Sequence, residues 1–341
     1  MPDSVAILIA LAVIVVAAEV FTNAVEHLGA RLKIAEGVTG SLFAAVATAL
    51  PETSVPLIAL FAGTADQQVN EEIGVGAILG APVMLATLAM FLLTAFSAGR
   101  RGLGSRFTPE ASGLGRDLNV FLGAFVLATL AMFVPPGWPA ARAGFSIVLV
   151  LIYFVYVLST LRASAELVAN GHSTEAHKAM FLNRLGLPDN FAVVGVQLVL
   201  GLGSLVGGAK LFIHEVEGLA HALGVSALLL SLVVVPVATE LPEKVNSILW
   251  IRRRRDTLAF GNITGAMVFQ GTLLPAVGIM LTPWSPRPEV LAGALVTLAG
   301  AAWLRWRIAS DGIRLGDTLV NGLLYATYLG VMVAAAASAS G

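Results

Sequence analysis

The chain contains no cysteine. That excludes disulfides, thiolate metal sites and thiol catalysis. Charge is scarce as well, at 12% of 341 residues with a net charge of −1, and no basic tract resembles a nucleic-acid-binding arm. Nucleic acid is therefore not an expected partner. No G-x-x-x-x-G-K-[ST] loop is present, which removes the primary-pump class, and the strand alternation of a lipid-facing barrel is missing too. What the chain has instead is apolar length. It is 57% hydrophobic, with a mean hydropathy of +0.87. Such values place it in the membrane class, with the lipid bilayer as its surroundings.

Apolar runs of spanning length fall at about ten places, at 4–24, 38–62, 74–97, 118–135, 143–163, 190–213, 222–250, 258–281, 288–304 and 316–337. Helices are the expected form, because hydrocarbon forces each segment to satisfy its own backbone groups. The first run follows Met1–Asp3 without a positive leader or a small-residue cleavage site, so a retained helix is expected rather than a signal peptide. If the N-terminus lies outside, sixteen of the twenty basic residues fall on the cytoplasmic side. Both termini are then outside a multi-pass plasma-membrane protein.

One stretch stands out. Pro236–Gln270 reads as membrane helix at its start, yet carries Glu240, Glu243 and Lys244 around Pro242. Charges in hydrocarbon normally face a bundle interior and mark an ion path. Pro236 and Pro242 remove backbone donors, so the helix is expected to loosen there and to free carbonyl oxygens. The same pattern occurs earlier. Ala47-Thr48-Ala49-Leu50-Pro51-Glu52 matches Ala238-Thr239-Glu240-Leu241-Pro242-Glu243 at a shift of 191 positions. The same shift pairs Phe21 with Phe212, Val25 with Val216 and Glu26 with Glu217. Downstream, Gly76–Val83 aligns with Gly261–Val268.

Two such copies are the mark of a transporter built from repeats. Five helices per copy is an odd number, so the second enters the membrane from the opposite side. The expected fold is an all-α integral membrane protein of about ten transmembrane helices in two inverted five-helix repeats. The expected division is a first repeat over 1–163, a cytoplasmic linker over 164–189 and a second repeat over 190–341.

The candidate ligands are all oxygen. Glu52 and Glu243 supply up to four carboxylate oxygens, Thr48 and Thr239 add hydroxyls, and the carbonyls of Ala47 and Ala238 lack their donors at Pro51 and Pro242. Glu240 adds a further carboxylate. Such a set favours a hard divalent cation over zinc or copper. The alternative is that the glutamates simply pair with Lys210 or Lys244. Gly76, Gly80, Gly261 and Gly265 read first as packing residues. The acidic run Asp66–Glu72 reads as a solvated outer loop, and Arg100–Leu118 as a polar cytoplasmic connection. His172 and His177 read as linker residues, and Glu26 and Glu217 as solvated helix ends or gates.

These copies resemble the alpha repeats of the cation/calcium exchanger superfamily, most closely its sodium/calcium exchanger branch. That family carries G-T-S-x-P-E in its second and seventh helices, and a G-N-x-x-G-S-N-type segment in its third and eighth. The resemblance places Glu52 and Glu243 on the family's calcium-binding carboxylates, and Thr48 and Thr239 on its threonine ligands. Departures accompany it. The family's serine is Ala49 in one copy and Glu240 in the other, and its later Ser-Asn pair is replaced by Ala81-Pro82 and Ala266-Met267. Only Asn262 and Gln270 keep polarity there, so several oxygens of a three-sodium exchanger are missing.

The expected function is a secondary antiporter rather than an enzyme, exchanging Ca²⁺ or a similar divalent cation for Na⁺ or H⁺. Inorganic cations are its partners, with no cofactor, and Lys244, Asn262 and Gln270 are candidates for coupling or gating. The alternatives are a proton-coupled exchanger of another divalent cation such as Mg²⁺, and an intramembrane metal-dependent enzyme. The latter would want an Asp-rich motif or a nucleophile–base pair, and neither is present.

Overall fold

The computed structural model describes residues 4–31, 50–168, 179–254, 256–310 and 312–339. The protein is a helical bundle. In chain order the helices are α1 (Ser4–Arg31), α2 (Leu50–Ala62), α3 (Gln67–Met84), α4 (Met90–Arg101), α5 (Ala111–Ala131) and α6 (Pro139–Val168). There follow the short α7 (Phe181–Arg184), then α8 (Phe191–Leu223), α9 (Ala227–Arg252), α10 (Asp256–Leu281), α11 (Pro288–Ser310) and α12 (Leu315–Ala339). A π-helical turn over Leu85–Ala89 joins α3 to α4, making one rod of the two. Ten long rods result among the described residues, five on each side of α7.

Six of these rods are long and apolar enough to cross a membrane by themselves, and α1, α2 and α9 carry shorter apolar runs. The surface is the reverse of a soluble protein's. Leu8, Val16, Ile147, Val155, Val199, Leu295 and Val333 point outward, whereas Thr87, Gln197, Glu240, Lys244, Gln270 and Asn321 are buried. Lipid is as apolar as leucine and draws no side chain inward, so polar groups collect where they find partners.

The two halves pack as mates. α1 lies against α8, and α5 against α11, each pairing equivalent helices of the two halves. The α2–α8 contact has its counterpart in α9–α1, α10–α5 in α3–α11, and α10–α6 in α4–α12. These pairings recur when the two five-helix sets are exchanged, as inverted repeats require, whereas the broad packing of α9 on α3 and α4 has no counterpart of similar extent between α2 and α10 among the described residues.

Several expectations change. Asp66–Glu72 is not a loop: α3 begins at Gln67, because Asp66 caps it by accepting from Val69 N–H at 3.2 Å. The polar connection after α4 is shorter than Arg100–Leu118, since Glu110 accepts the N–H groups of Ser112 and Gly113 and starts α5 at Ala111. Part of that connection, Arg106–Phe107, pairs antiparallel with Ile313–Arg314.

α9 also runs unbroken through Pro236 and Pro242, where loosening is expected from the sequence. The reason is local compensation. Pro236 deprives the Leu232 carbonyl of its helical donor, and the Tyr328 hydroxyl of α12 donates to that oxygen at 3.3 Å. The region of His172 and His177 lies outside the described residues, as does the segment carrying Ala47 and Thr48.

Gly76 and Gly80 bring α3 onto α9. A Cβ at Gly76 would meet the Ser231 side chain, and one at Gly80 would meet the Leu232 carbonyl and the Pro236 ring. Backbone cannot rotate away as a side chain can. Gly80→Ala should therefore destabilise by about 1–3 kcal/mol, seen as a lowered melting temperature of the detergent-purified protein. Gly123→Ala, where a Cβ meets nothing within 4 Å, should leave the melting temperature unchanged.

Candidate cation site

The second T-x-L-P-E run lies in the middle of α9, and its Glu240 is turned toward α10. A spacing of four places Glu240 and Lys244 one above the other on a helix face. Their side chains meet at 3.0 Å and are almost completely buried. Lys244 does not snorkel. From the facing helix, Gln270 donates through Nε2 to Glu240 Oε1. Its own Oε1 is buried and has no hydrogen-bond partner among the described residues.

The polar seam continues along the same two helices. Seven residues beyond Glu240, Ser247 accepts from Asn262 Nδ2 at 2.9 Å. Asn262 stands eight residues before Gln270, so the contacts follow two antiparallel helices at matching heights. Thr239 donates its hydroxyl to Val235 O at 3.0 Å, within its own helix, which leaves its oxygen lone pairs available as acceptors. Glu243 lies on the next turn of α9, and Glu52 in the first turn of α2. The side chains of both are outside the described residues, as is that of Ala238. The structure thus brings together Thr239, Glu240, Lys244, Asn262 and Gln270 at the α9–α10 contact. Lys210 is exposed on α8 and takes no part.

Three polar features have no counterpart in the sequence analysis. Asp117 of α5 is buried and accepts from Thr264 Oγ1 at 2.7 Å and from Tyr156 OH at 3.1 Å, tying α5, α6 and α10 together beside the Gly261–Gly265 segment. The π turn is held by Asn321 of α12, whose Nδ2 donates to Ala86 O at 2.7 Å, with Gly300 of α11 close by. Arg142 is buried at the end of α10, where it donates to Ile279 O at 3.0 Å and to Pro283 O at 2.9 Å. A lone Asp or Arg at the end of an apolar run gives no sign in one sequence of whether it points inward.

Two ion pairs hold α9 at its ends. At one end Glu72 pairs with Arg287 at 3.0 Å and also accepts from Leu228 N–H at 3.2 Å. At the other, Arg101 pairs with Asp256 and donates to Ile251 O at 3.2 Å. Each pair joins the start of the third rod in one half to the far end of the third rod in the other, at its last residue (Arg101) or just beyond it (Arg287). The repeat alignment held the signal, since Gly76 over Gly261 brings Glu72 within one position of Asp256.

Comparison with known proteins agrees with this architecture. CaxA of Alkalimonas amylolytica is 25% identical over 296 residues, covering 81% of this chain and 80% of that protein. The solved structure of the H⁺/Ca²⁺ exchanger CAX superposes with a TM-score of 0.71 at 17% identity, over 99% of this chain and 86% of that one. The sodium-calcium exchanger NCX_Mj gives 0.56 at 18% identity, over 97% and 98% of the two chains. At such identities the structural likenesses speak for a shared fold. The family described as sodium/calcium exchanger protein matches residues 4–162 and 193–334, most of both halves. With its two inverted sets of five helices and its paired T-x-L-P-E runs, the chain belongs to the sodium/calcium exchanger protein family.

Proposed function

We propose that the protein is a secondary antiporter exchanging Ca²⁺, or a similar divalent cation, for Na⁺ or H⁺ by alternating access. The observation that carries this reading is the burial of Thr239 and Glu240, within the second T-x-L-P-E run, at the polar seam of an otherwise apolar bundle. A carboxylate there has no value to the fold that an apolar side chain would not supply more cheaply.

Glu52 and Glu243 are the proposed divalent ligands. Thr48 and Thr239 hydroxyls and the Ala47 and Ala238 carbonyls complete an all-oxygen shell of the kind Ca²⁺ takes. The cation leaves on one side, and monovalent ions neutralise the two carboxylates for the return. The inverted repeats supply two access states of matching geometry, which supports an exchanger over a passive pore. The similar solved structures include both an H⁺/Ca²⁺ and a sodium-calcium exchanger, and either coupling ion fits carboxylates that must be neutralised. The distribution of Lys and Arg supports a plasma-membrane orientation with both termini outside. The proposed division is a first repeat over 1–163, a linker over 164–189 and a second repeat over 190–341.

Purified protein in proteoliposomes, under imposed Na⁺ or H⁺ gradients and with Ca²⁺, Mg²⁺ and Mn²⁺ compared, tests the reading. Glu52→Gln and Glu243→Gln should each lower divalent uptake by roughly 10- to 100-fold or more, at normal yield and melting temperature. Near-normal uptake in either variant would remove that glutamate from the site.

Orientation is tested by cysteine labelling, because no native cysteine interferes. A cysteine placed at Glu175 should resist an impermeant maleimide in intact cells and react after permeabilisation. Reaction from outside would invert the topology.

A further inference from the structure

Lys244 is the residue least expected beside a cation site, and its surroundings give it a use. It is 3% exposed, and its ammonium lies 3.0 Å from Glu240. The cavity bordering its stem, about 760 Å³ between α1, α4 and α9, is otherwise lined by apolar side chains such as Leu8, Leu11, Phe96, Val237 and Ile263. The charge is thus turned toward the α9–α10 contact and not toward solvent.

The carboxylate beside the ammonium is a group that a monovalent cation would also meet. Glu240 offers a fully buried carboxylate, which Gln270 orients through Nε2. The remaining Gln270 oxygen is buried and accepts from nothing among the described residues. A buried acceptor without a donor costs about 1–3 kcal/mol and normally has a reason. Glu240 Oε2, left over by the hydrogen bond from the Gln270 amide to Oε1, would meet a small cation, and the side chain that meets it here is a tethered one.

We infer that Lys244 is a built-in substitute for one monovalent ion: its ammonium meets the Glu240 carboxylate that Gln270 orients, so each transport cycle carries one fewer monovalent ion than it would without it. The inference rests on the antiport reading above. It follows from charge conservation at a buried site. Glu240 demands one positive charge in every state of the cycle, because an uncompensated carboxylate in the bundle is strongly disfavoured. A mobile ion meeting that demand would be counted in the exchange; a lysine on the same helix is not. The role is one of coupling, distinct from divalent binding by Glu52 and Glu243.

The test uses the full chain in proteoliposomes, with Ca²⁺ as the divalent probe and Na⁺, K⁺ and Li⁺ as monovalent probes. Lys244→Met keeps the apolar stem and removes the charge. At low monovalent salt its Ca²⁺ uptake should fall by roughly tenfold or more, and Na⁺ or K⁺ should restore it. The flux ratio should rise by one monovalent ion per Ca²⁺, and the same ion should raise the variant's melting temperature in detergent, leaving that of the wild type unchanged. Lys244→Arg should keep the wild-type ratio. Glu240→Gln/Lys244→Met removes both charges and should lose the monovalent-ion stabilisation that Lys244→Met shows.

The inference is overturned if folded Lys244→Met shows the wild-type ion dependence and no stabilisation by monovalent ions. It is equally overturned if the folded double variant is still stabilised by monovalent ions, since a group other than Glu240 would then hold the ion. Should Lys244→Met fail to fold, the double variant and Lys244→Arg decide alone. Absence of any exchange by the wild type would instead bring down the antiport reading, and this inference with it.

Discussion

Hydrocarbon offers no hydrogen bonds, and that constraint shapes every part of this bundle. Polar side chains turn inward because only other parts of the protein can satisfy them. The Leu232 carbonyl, left without a donor by Pro236, takes one from Tyr328. The Ala86 carbonyl at the π turn takes one from Asn321. The last carbonyls of α10 are gathered by Arg142. Each of these three irregularities is thereby also a contact between helices, which is how a bundle without a hydrophobic driving force acquires a unique packing.

α9 is the element on which these demands converge. It carries the acidic run in its middle and the close approach of α3 through Gly76 and Gly80 near its start. Ion pairs hold it at both ends, Glu72–Arg287 at one and Arg101–Asp256 at the other. A helix held so firmly presents its central side chains at a defined height. That is what the register of Glu240 with Gln270 and of Ser247 with Asn262 requires. Ions bound between two helices are sensitive to small shifts, and fixed ends keep such shifts small.

The two halves share part of a contact scheme but not an identical interior. Where one copy has Ala49 the other has Glu240, and Lys244 follows the second acidic motif only, with Thr53 at its counterpart. An exchanger needs two equivalent access states, not two equivalent sites. Symmetry of packing can therefore persist while the interior diverges. A lysine in one copy alone changes the charge of the site without disturbing the exchange of the two helix sets.

The sequence by itself determined the membrane class, the ten apolar segments and the two matched copies, because hydropathy and a repeated T-x-L-P-E run are properties of residue order. It also marked Glu240, Lys244, Asn262 and Gln270 as out of place in apolar helices. Where the helices begin was less legible. The acidic Asp66–Glu72 run looked like a loop, since composition does not tell a solvated turn from a first helical turn capped by Asp66. The prolines of α9 pointed to a break, since one sequence shows the lost donor and not the tyrosine from another helix that replaces it. Which polar groups meet was decided by tertiary structure alone. Glu240 and Gln270 are 30 residues apart, Asp117 and Thr264 are 147 apart, and Asn321 and Ala86 are 235 apart. Partners at such distances are set by how helices cross, and periodicity within one helix carries no record of the crossing.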